Sequence, residues 1–357
     1  MHIDESKRKW WILAAMGGVL GVAMLDETVV GVALPTIRHD LGMSQVASHW
    51  VINAYMLVFT GFVAAGGRFG DIFGHRGFCI LGLAIFGLAS LACGFAQDSA
   101  SLITARAIQG LGAAIIFPAS IAMITIVFPP EQRGLAFGIN TTIAGVFMSL
   151  GPLVGGFFTE VLSWRWIFWV NLPFVAAIAL VVLATWVQPK RDSVPKQATQ
   201  SIDYRGLVTL VVGLSALVTA LMQGVEWGWS APSTLTLLAV GAIVLMLFTG
   251  IESRATEPMV DIGLFRNATF TGSNLVAFIL QFNKITVIVF VALFLQDVVH
   301  KSPIVAGSAL LVGVAPSLVT STFAGRLTDR YGARWPSLAG LLINGSAMLW
   351  IGLVVFE

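Results

Sequence analysis

Charge is what this chain has least of. Lysine, arginine, aspartate and glutamate make up 11% of its 357 residues, against 57% for hydrophobic types. Soluble domains carry about 25% charged residues, so a water-soluble globule is excluded. The net charge of +2 offers nucleic acid no bulk electrostatic handle. Cysteine is nearly absent, with Cys79 and Cys93 alone. On one helix they lie roughly 21 Å apart, too far to bridge each other, so no disulfide framework or redox compartment follows. No metal-ligand spacing, nucleophile triad or phosphate loop occurs either. Neither an enzyme nor a bound cofactor is expected.

What is present is a recurrence of apolar runs about 20 residues long, the length that crosses a bilayer. Hydropathy places eleven of them, at 10–37, 47–69, 78–97, 101–128, 134–161, 165–187, 204–222, 233–251, 269–299, 303–325 and 335–356. The expected fold class is an all-α polytopic membrane protein. The basic start Lys7-Arg8-Lys9 precedes a run too long for a signal peptide, so it reads as a retained first helix. Fifteen lysines and arginines fall on that side of the spans, and only Arg38, Arg165 and Lys301 on the other. The positive-inside rule then puts the N-terminus in the cytoplasm. The polar stretch from Gln188 to Asp203 reads as a linker after six spans. The chain divides into a six-helix bundle (1–187), a linker with two extra helices and a connection (188–267), and three helices of a second bundle (268–357).

Charges inside spans carry the functional reading, because each costs roughly 3 kcal/mol on insertion scales. The first span holds Asp26 and Glu27. They sit about 100° apart round a helix, so only one of the two faces the interior. Arg106 lies in the fourth span about 8 Å below its outer end, and Asp26 roughly 15 Å below its own, at the helical rise per residue. The two are within reach in depth; the alternative is an arginine that snorkels to the surface. Gln109 shares the arginine's face. Asn283 and Lys284 lie mid-span in the ninth run and join Glu27 and Gln109 as candidate cavity residues. Asp26→Asn is expected to leave the fold intact, since a lone buried charge is costly.

Two loops share the pattern G-x-x-x-D-x-x-G-x-R, 258 residues apart. The first carries Gly67, Asp71, Gly74 and Arg76. The second carries Gly325, Asp329, Arg330, Gly332 and Arg334. Glycines permit a tight turn, and the aspartate can accept bonds from a helix N-terminus or an arginine. Gating latches are expected; an ordinary charged turn is the alternative. The same offset carries position 26 onto 284, so Lys284 is expected to be the repeat-equivalent of Asp26 and to couple with it. In the fifth span, Gly151, Pro152, Gly155 and Gly156 read as a kinked hinge, or as a packing motif without mechanism. Trp164, Trp166 and Trp169 read as an interfacial belt.

Taken in order, LDETVVGVALP, GRFGDIFGHR, RAIQGLG and GPLVGG resemble the motifs of the major facilitator superfamily, in its fourteen-helix drug:proton antiporter branch. The resemblance implies a proton role for Asp26, a coupling role for Arg106, a hinge at Gly151–Gly156 and a gate at Asp71. Ile72 departs from the usual basic residue of the first loop, and Phe147 from the usual glycine that opens the fifth-helix motif. The branch has three helices beyond those counted here, so a fragment or a shortened product is expected. The function expected is proton-coupled export of amphipathic small molecules, cationic ones favoured, across the inner (plasma) membrane by a monomer. The proton gradient supplies the energy, and substrate, protons and lipid are the partners. An exporter of another metabolite (a lipid precursor, amino acid or siderophore) and a truncated, non-transporting membrane protein are the rivals.

Overall fold

In the computed structural model, which describes residues 5–186, 203–255, 258, 260–300 and 303–355, the described residues form helices and no strands. The helices are α1 (Glu5–Asp40), α2 (Gln45–Phe73), α3 (His75–Phe95), α4 (Ser99–Val127), α5 (Arg133–Phe157), α6 (Trp166–Trp169), α7 (Asn171–Thr185), α8 (Tyr204–Trp227), α9 (Pro232–Glu252), α10 (Ala268–Leu293), α11 (Pro303–Tyr331) and α12 (Arg334–Val355). The short α6 and α7 together make one crossing, so the eleven expected spans are all helical. Nine helical segments among the described residues are long and apolar enough to cross a membrane. We call the end where α1 begins proximal and the other end distal.

Local chemistry sets the boundaries. The Ser44 side chain accepts from Ala47 N–H and starts α2. Asp98 and Ser101 form a reciprocal capping box at the start of α4. Gly74 joins α2 to α3 at φ 91°, and Gly332 joins α11 to α12 at φ 79°. This left-handed backbone region suits glycine, so the two repeated loops turn as tightly as their glycines allow.

The first seven helices pack into one bundle in which α1 lies against α5, α4 and α7, and α4 against α2 and α3. Missing side chains permit the closest approaches. A Cβ on Gly110 would strike the backbone of Tyr55, and one on Gly112 that of Phe86. Two apolar clusters stack along the bundle. The proximal one includes Leu13, Met16, Phe86, Ile116, Met123 and Val182. The distal one includes Leu25, Val29, Ile37, Val51, Leu102 and Phe168. The polar residues of the site lie where the two meet. At the distal end Asp40 accepts from Trp164 Nε1 at 2.8 Å and from Arg165 at 3.0 Å. Trp164 is thus buried rather than part of an interfacial belt, because its indole N–H finds a carboxylate inside; Trp166 is exposed as expected.

Beyond the bundle, α8 packs on α2, and α9 packs on α8. The approach uses Gly61, whose Cβ position lies 3.4 Å from Ser215 Oγ, and a contact of His49 Nδ1 with Glu226 Oε1 at 3.1 Å. Of the last three helices, α11 makes the main contact with the first bundle, along α5.

Candidate functional site

Asp26 is 1% exposed, and so is Arg106. The guanidinium Nη1 donates to Asp26 Oδ2, and the two form a buried salt bridge. Snorkelling is therefore ruled out for Arg106. Its Nε donates to the Val51 carbonyl at 3.0 Å, its Nη1 also to Gln109 Oε1 at 2.7 Å, and its planar head lies 4.4 Å from the Tyr55 ring centroid. The other carboxylate oxygen, Oδ1, accepts from Gln109 Nε2 and Asn171 Nδ2, each at 2.8 Å. Both amides also reach Ser90 Oγ, which donates to the Phe168 carbonyl at 2.8 Å.

Helix spacing explains how one arginine and one amide serve the same carboxylate. Arg106 and Gln109 are three residues apart on α4, hence on one face. Asn171 opens α7 directly after the aromatic α6 and brings a third donor from a separate helix. The carboxylate thus receives three donors in a region with apolar packing above and below. In such surroundings a lone charge is untenable and a paired one is held firmly. This corrects the expectation that Asp26→Asn is free of structural cost: the charge is not alone, and its removal leaves Arg106 buried with the neutral partners described above. Those partners — Val51, Gln109 and the Tyr55 face — are what make a neutral Asp26 bearable at all.

Three of these residues, Asn171, Ser90 and Tyr55, were not singled out from the sequence. The available signal was their polarity inside the sixth, third and second spans. Of the expected residues, Gln109 joins Asp26 and Arg106 directly. Glu27 is half-buried on the adjoining face of α1. Asn283 donates to Asn344 of α12 at 2.6 Å, so its amide is engaged with that helix. Lys284 belongs to α10, but its side chain, and with it the expected coupling to Asp26, lies outside the described residues.

The fifth-helix motif sits against the site helix. A Cβ on Gly151 would strike Thr28 Oγ1, and one on Gly155 would stand 3.1 Å from the Val29 carbonyl. Gly156 faces open space, and α5 runs through Pro152 to Phe157. Close packing next to Asp26 is the role visible for Gly151 and Gly155.

The repeated loops differ in what they touch. Asp329 reaches across to α5, where its two oxygens accept from the N–H groups of Gly134 and Leu135 at 2.7 and 2.8 Å. These donors lie in the first turn of α5, where backbone N–H groups lack helical partners and the helix dipole favours an anion. Gly325 and Gly134 meet so closely that a Cβ on either would strike the other helix's backbone. Further along, Thr142 hydrogen-bonds Ser321 at 2.7 Å and Thr322 at 3.0 Å. The proximal ends of α5 and α11 are therefore closed against each other. Asp71, by contrast, is exposed and lies 3.4 Å from His75 on its own side. Arg76 donates to the Leu183 carbonyl, and Gly67 packs on Pro118. Arg330 and Arg334 lie over Tyr331 and Trp335.

Comparison with known proteins agrees with this architecture. The chain is 36% identical over 343 residues to the puromycin resistance protein pur8 of Streptomyces alboniger, covering 96% of this chain and 67% of that one. It is 32% identical to the tetracenomycin C resistance and export protein of Streptomyces glaucescens, covering 96% and 63%. It is 33% identical to the multidrug transporter protein MdtP of Bacillus subtilis, covering 97% and 63%. The chain thus spans about two thirds of the length of these relatives. Among solved structures, the proton:xylose symporter XylE aligns with a TM-score of 0.61 at 14% identity, over 92% of this chain and 70% of that one, a likeness of fold. The family model for the Major Facilitator Superfamily matches residues 16–265. A chain whose described residues form nine helical segments fit to cross a membrane, with these relatives, is a multi-pass membrane protein, and it belongs to the Major Facilitator Superfamily.

Proposed function

We propose that this chain belongs to a proton-coupled antiporter that exports amphipathic small molecules, drugs and antibiotics among them, from the cytoplasm. The observation that carries the reading is the buried Asp26–Arg106 pair on α1 and α4. It holds a carboxylate and a guanidinium, both buried at membrane depth, at bonding distance, and it sits beside the glycine stripe of α5. Taking up a proton would break the ion pair and loosen α1 from α4, so protonation and helix packing are linked. The names of the relatives, which include puromycin resistance and multidrug transport, support the substrate class.

The proximal end is the cytoplasmic one in this reading, on the strength of the lysine and arginine bias. The α5–α11 contact then closes the cytoplasmic side, and Asp329 acts as the latch of an outward-facing state. Alternation would release the Asp329 cap and part Gly134 from Gly325. The latch role is proposed for Asp329, since the described contact of Asp71 is local.

The test is transport in proteoliposomes by the full-length protein, with a panel of cationic and neutral amphipathic compounds and an imposed proton gradient. Uphill movement of a panel member, lost in Asp26→Asn, supports the reading. Uphill movement that persists in Asp26→Asn removes Asp26 from the coupling mechanism. Flux of a lipid precursor, amino acid or siderophore alone would favour a metabolite exporter.

A further inference from the structure

The network around Asp26 contains one polar atom that it does not use. Asn171 is fully buried, and its Oδ1 has no hydrogen-bond partner. Its Nδ2, in contrast, donates to Asp26 Oδ1 at 2.8 Å and to Ser90 Oγ at 3.0 Å. The other acceptors nearby are occupied. Gln109 Oε1 accepts from Arg106 and from the Cys93 thiol. Ser90 Oγ accepts from both amides and donates to Phe168 O. Asp26 is therefore surrounded by donors, an arrangement that suits the ionised carboxylate alone.

A protonated Asp26 has a hydrogen to place, and a buried donor left unmatched costs about 1–3 kcal/mol. Half a turn of the Asn171 amide about its terminal torsion exchanges Oδ1 and Nδ2 in nearly the same volume, and that torsion is broad and roughly two-fold. Oδ1 would then occupy the place of Nδ2, within bonding distance of the acid, while Nδ2 gives up its bond to Ser90 and takes the place where Oδ1 has no partner, so the acid's new bond is offset by the amide's loss. The reverse orientation is disfavoured while Asp26 is ionised, because it sets a carbonyl oxygen against a carboxylate. Gln109 lacks this freedom. Its oxygen is held by the guanidinium of Arg106, which stays protonated throughout and cannot accept.

Resting on the reading of Asp26 as the proton carrier, we propose that Asn171 is a positioning residue that follows the protonation state of Asp26: its amide donates to the carboxylate and, once flipped, accepts from the acid. The proton stays on Asp26, and only hydrogen bonds change hands. Among the described residues, the titratable or charged side chains around the carboxylate are Arg106 from α4, Tyr55 from α2, Cys93 from α3 and Glu27 on α1 itself. The sequence of α7 contains no charged residue, and that of α5 only Arg133 at its proximal start. Asn171 is the first residue of α7, adjoining the break after α6, and α6 is tied to α3 through Phe168 and Ser90. The flip therefore delivers the protonation state of α1 to the joint between α6 and α7.

The experiment is an infrared difference titration of the full-length protein in lipid. The acid carbonyl band of Asp26 is identified by its loss in Asp26→Asn. In the parent, we expect this band at the position of a hydrogen-bonded acid. The side-chain carbonyl band of isotope-labelled asparagine should change with the same pH midpoint and be lost in Asn171→Ser. In Asn171→Leu the Asp26 acid band should move to higher frequency, as for an acid without an acceptor. Asn171→Ser, too short to reach, should move it in the same direction if the leucine variant does not fold. An acid band unmoved in both variants, with an asparagine band that does not titrate in the parent, would overturn the inference and leave Asp26 as the proton carrier. No titrating acid band lost in Asp26→Asn would overturn the proton reading itself, and the inference with it.

Discussion

Replacing Asp329 by asparagine tests the closed contact at its most chemically defined point. The parent carboxylate accepts two backbone N–H groups of α5, one on each oxygen, at 2.7 and 2.8 Å. Asparagine keeps one acceptor and turns an NH₂ group toward the other N–H. The favourable interaction of an anion with the helix N-terminus disappears as well. A carboxylate in a partly buried geometry of this kind contributes up to about 2 kcal/mol, which sets the closed-to-open ratio about 30-fold lower in the variant. The effect is confined to the equilibrium between states, since neither helix loses apolar packing. Spin labels at Glu131 and Tyr331, both exposed and flanking the contact, report the separation of α5 and α11 as a distance distribution. In full-length protein in nanodiscs, Asp329→Asn should move weight from the short to the long distance. Raised salt should have little effect in the variant and a weakening effect in the parent. An Asp329→Asn distribution that superimposes on the parent's would refute the latch.

Three further outcomes follow from the geometry. Asp26→Asn should lower thermal stability in detergent as well as abolish proton-driven efflux, because stranding a buried arginine costs about 3–5 kcal/mol; adding Arg106→Met should restore stability and not transport. An unchanged melting temperature in Asp26→Asn would mean the pair is not structurally coupled. Gly325→Ala places a methyl group against the Gly134 carbonyl, so a cysteine at Ser321 should become more reactive to a reagent added from the proximal side, with Cys79 and Cys93 silent because they are buried. Equal labelling with and without Gly325→Ala would show that the two helices do not need this approach. At the start of α4, the Ser101 N–H holds the Asp98 carboxyl below its ordinary range. Its capping contribution is therefore full above the ordinary carboxylate range and fades as pH falls through the lowered value. Protection of the first α4 amides against hydrogen exchange, corrected for the intrinsic rate, should fall over that window in the parent and be absent throughout in Asp98→Ala.

Much of the helical plan is legible in the sequence because membrane crossing is a local property. The run 101–128 became Ser99–Val127, and 335–356 became Arg334–Val355, since length and apolarity alone decide such a helix. The Asp26–Arg106–Gln109 grouping is legible for a related reason: charges at membrane depth must find each other, and helical rise sets their depths. Asn171 and Ser90 escape this reasoning. A single amide or hydroxyl costs too little to stand out in a hydrophobic span, and which faces meet depends on the tilt of α3 and α7. The two loops illustrate a second limit. Their repeat predicts like turns, and Gly74 and Gly332 make them, but a pattern does not name its partner. Only Asp329 among the two aspartates reaches another helix's N-terminus in the described residues. Trp164 shows the same limit on a smaller scale, its place decided by the remote Asp40 rather than by its aromatic neighbours.

The attachment of α8 and α9 bears on how the chain accommodates rocking. Their hairpin is fastened to α2 through Gly61 and the His49–Glu226 contact, while the second set of helices touches the first mainly through α11 on α5. Under rigid-body motion of one half past the other, the hairpin is a passenger of the first half. The distance from the end of α7 to the start of α8 then stays constant through a cycle. The change in distance falls instead between the end of α9 and the start of α10, whose connection is the tether between the two sets of helices. In the proposed transport cycle, shortening that tether, rather than the polar segment ahead of α8, is what would slow the exchange of access while leaving the Asp26–Arg106 pair untouched.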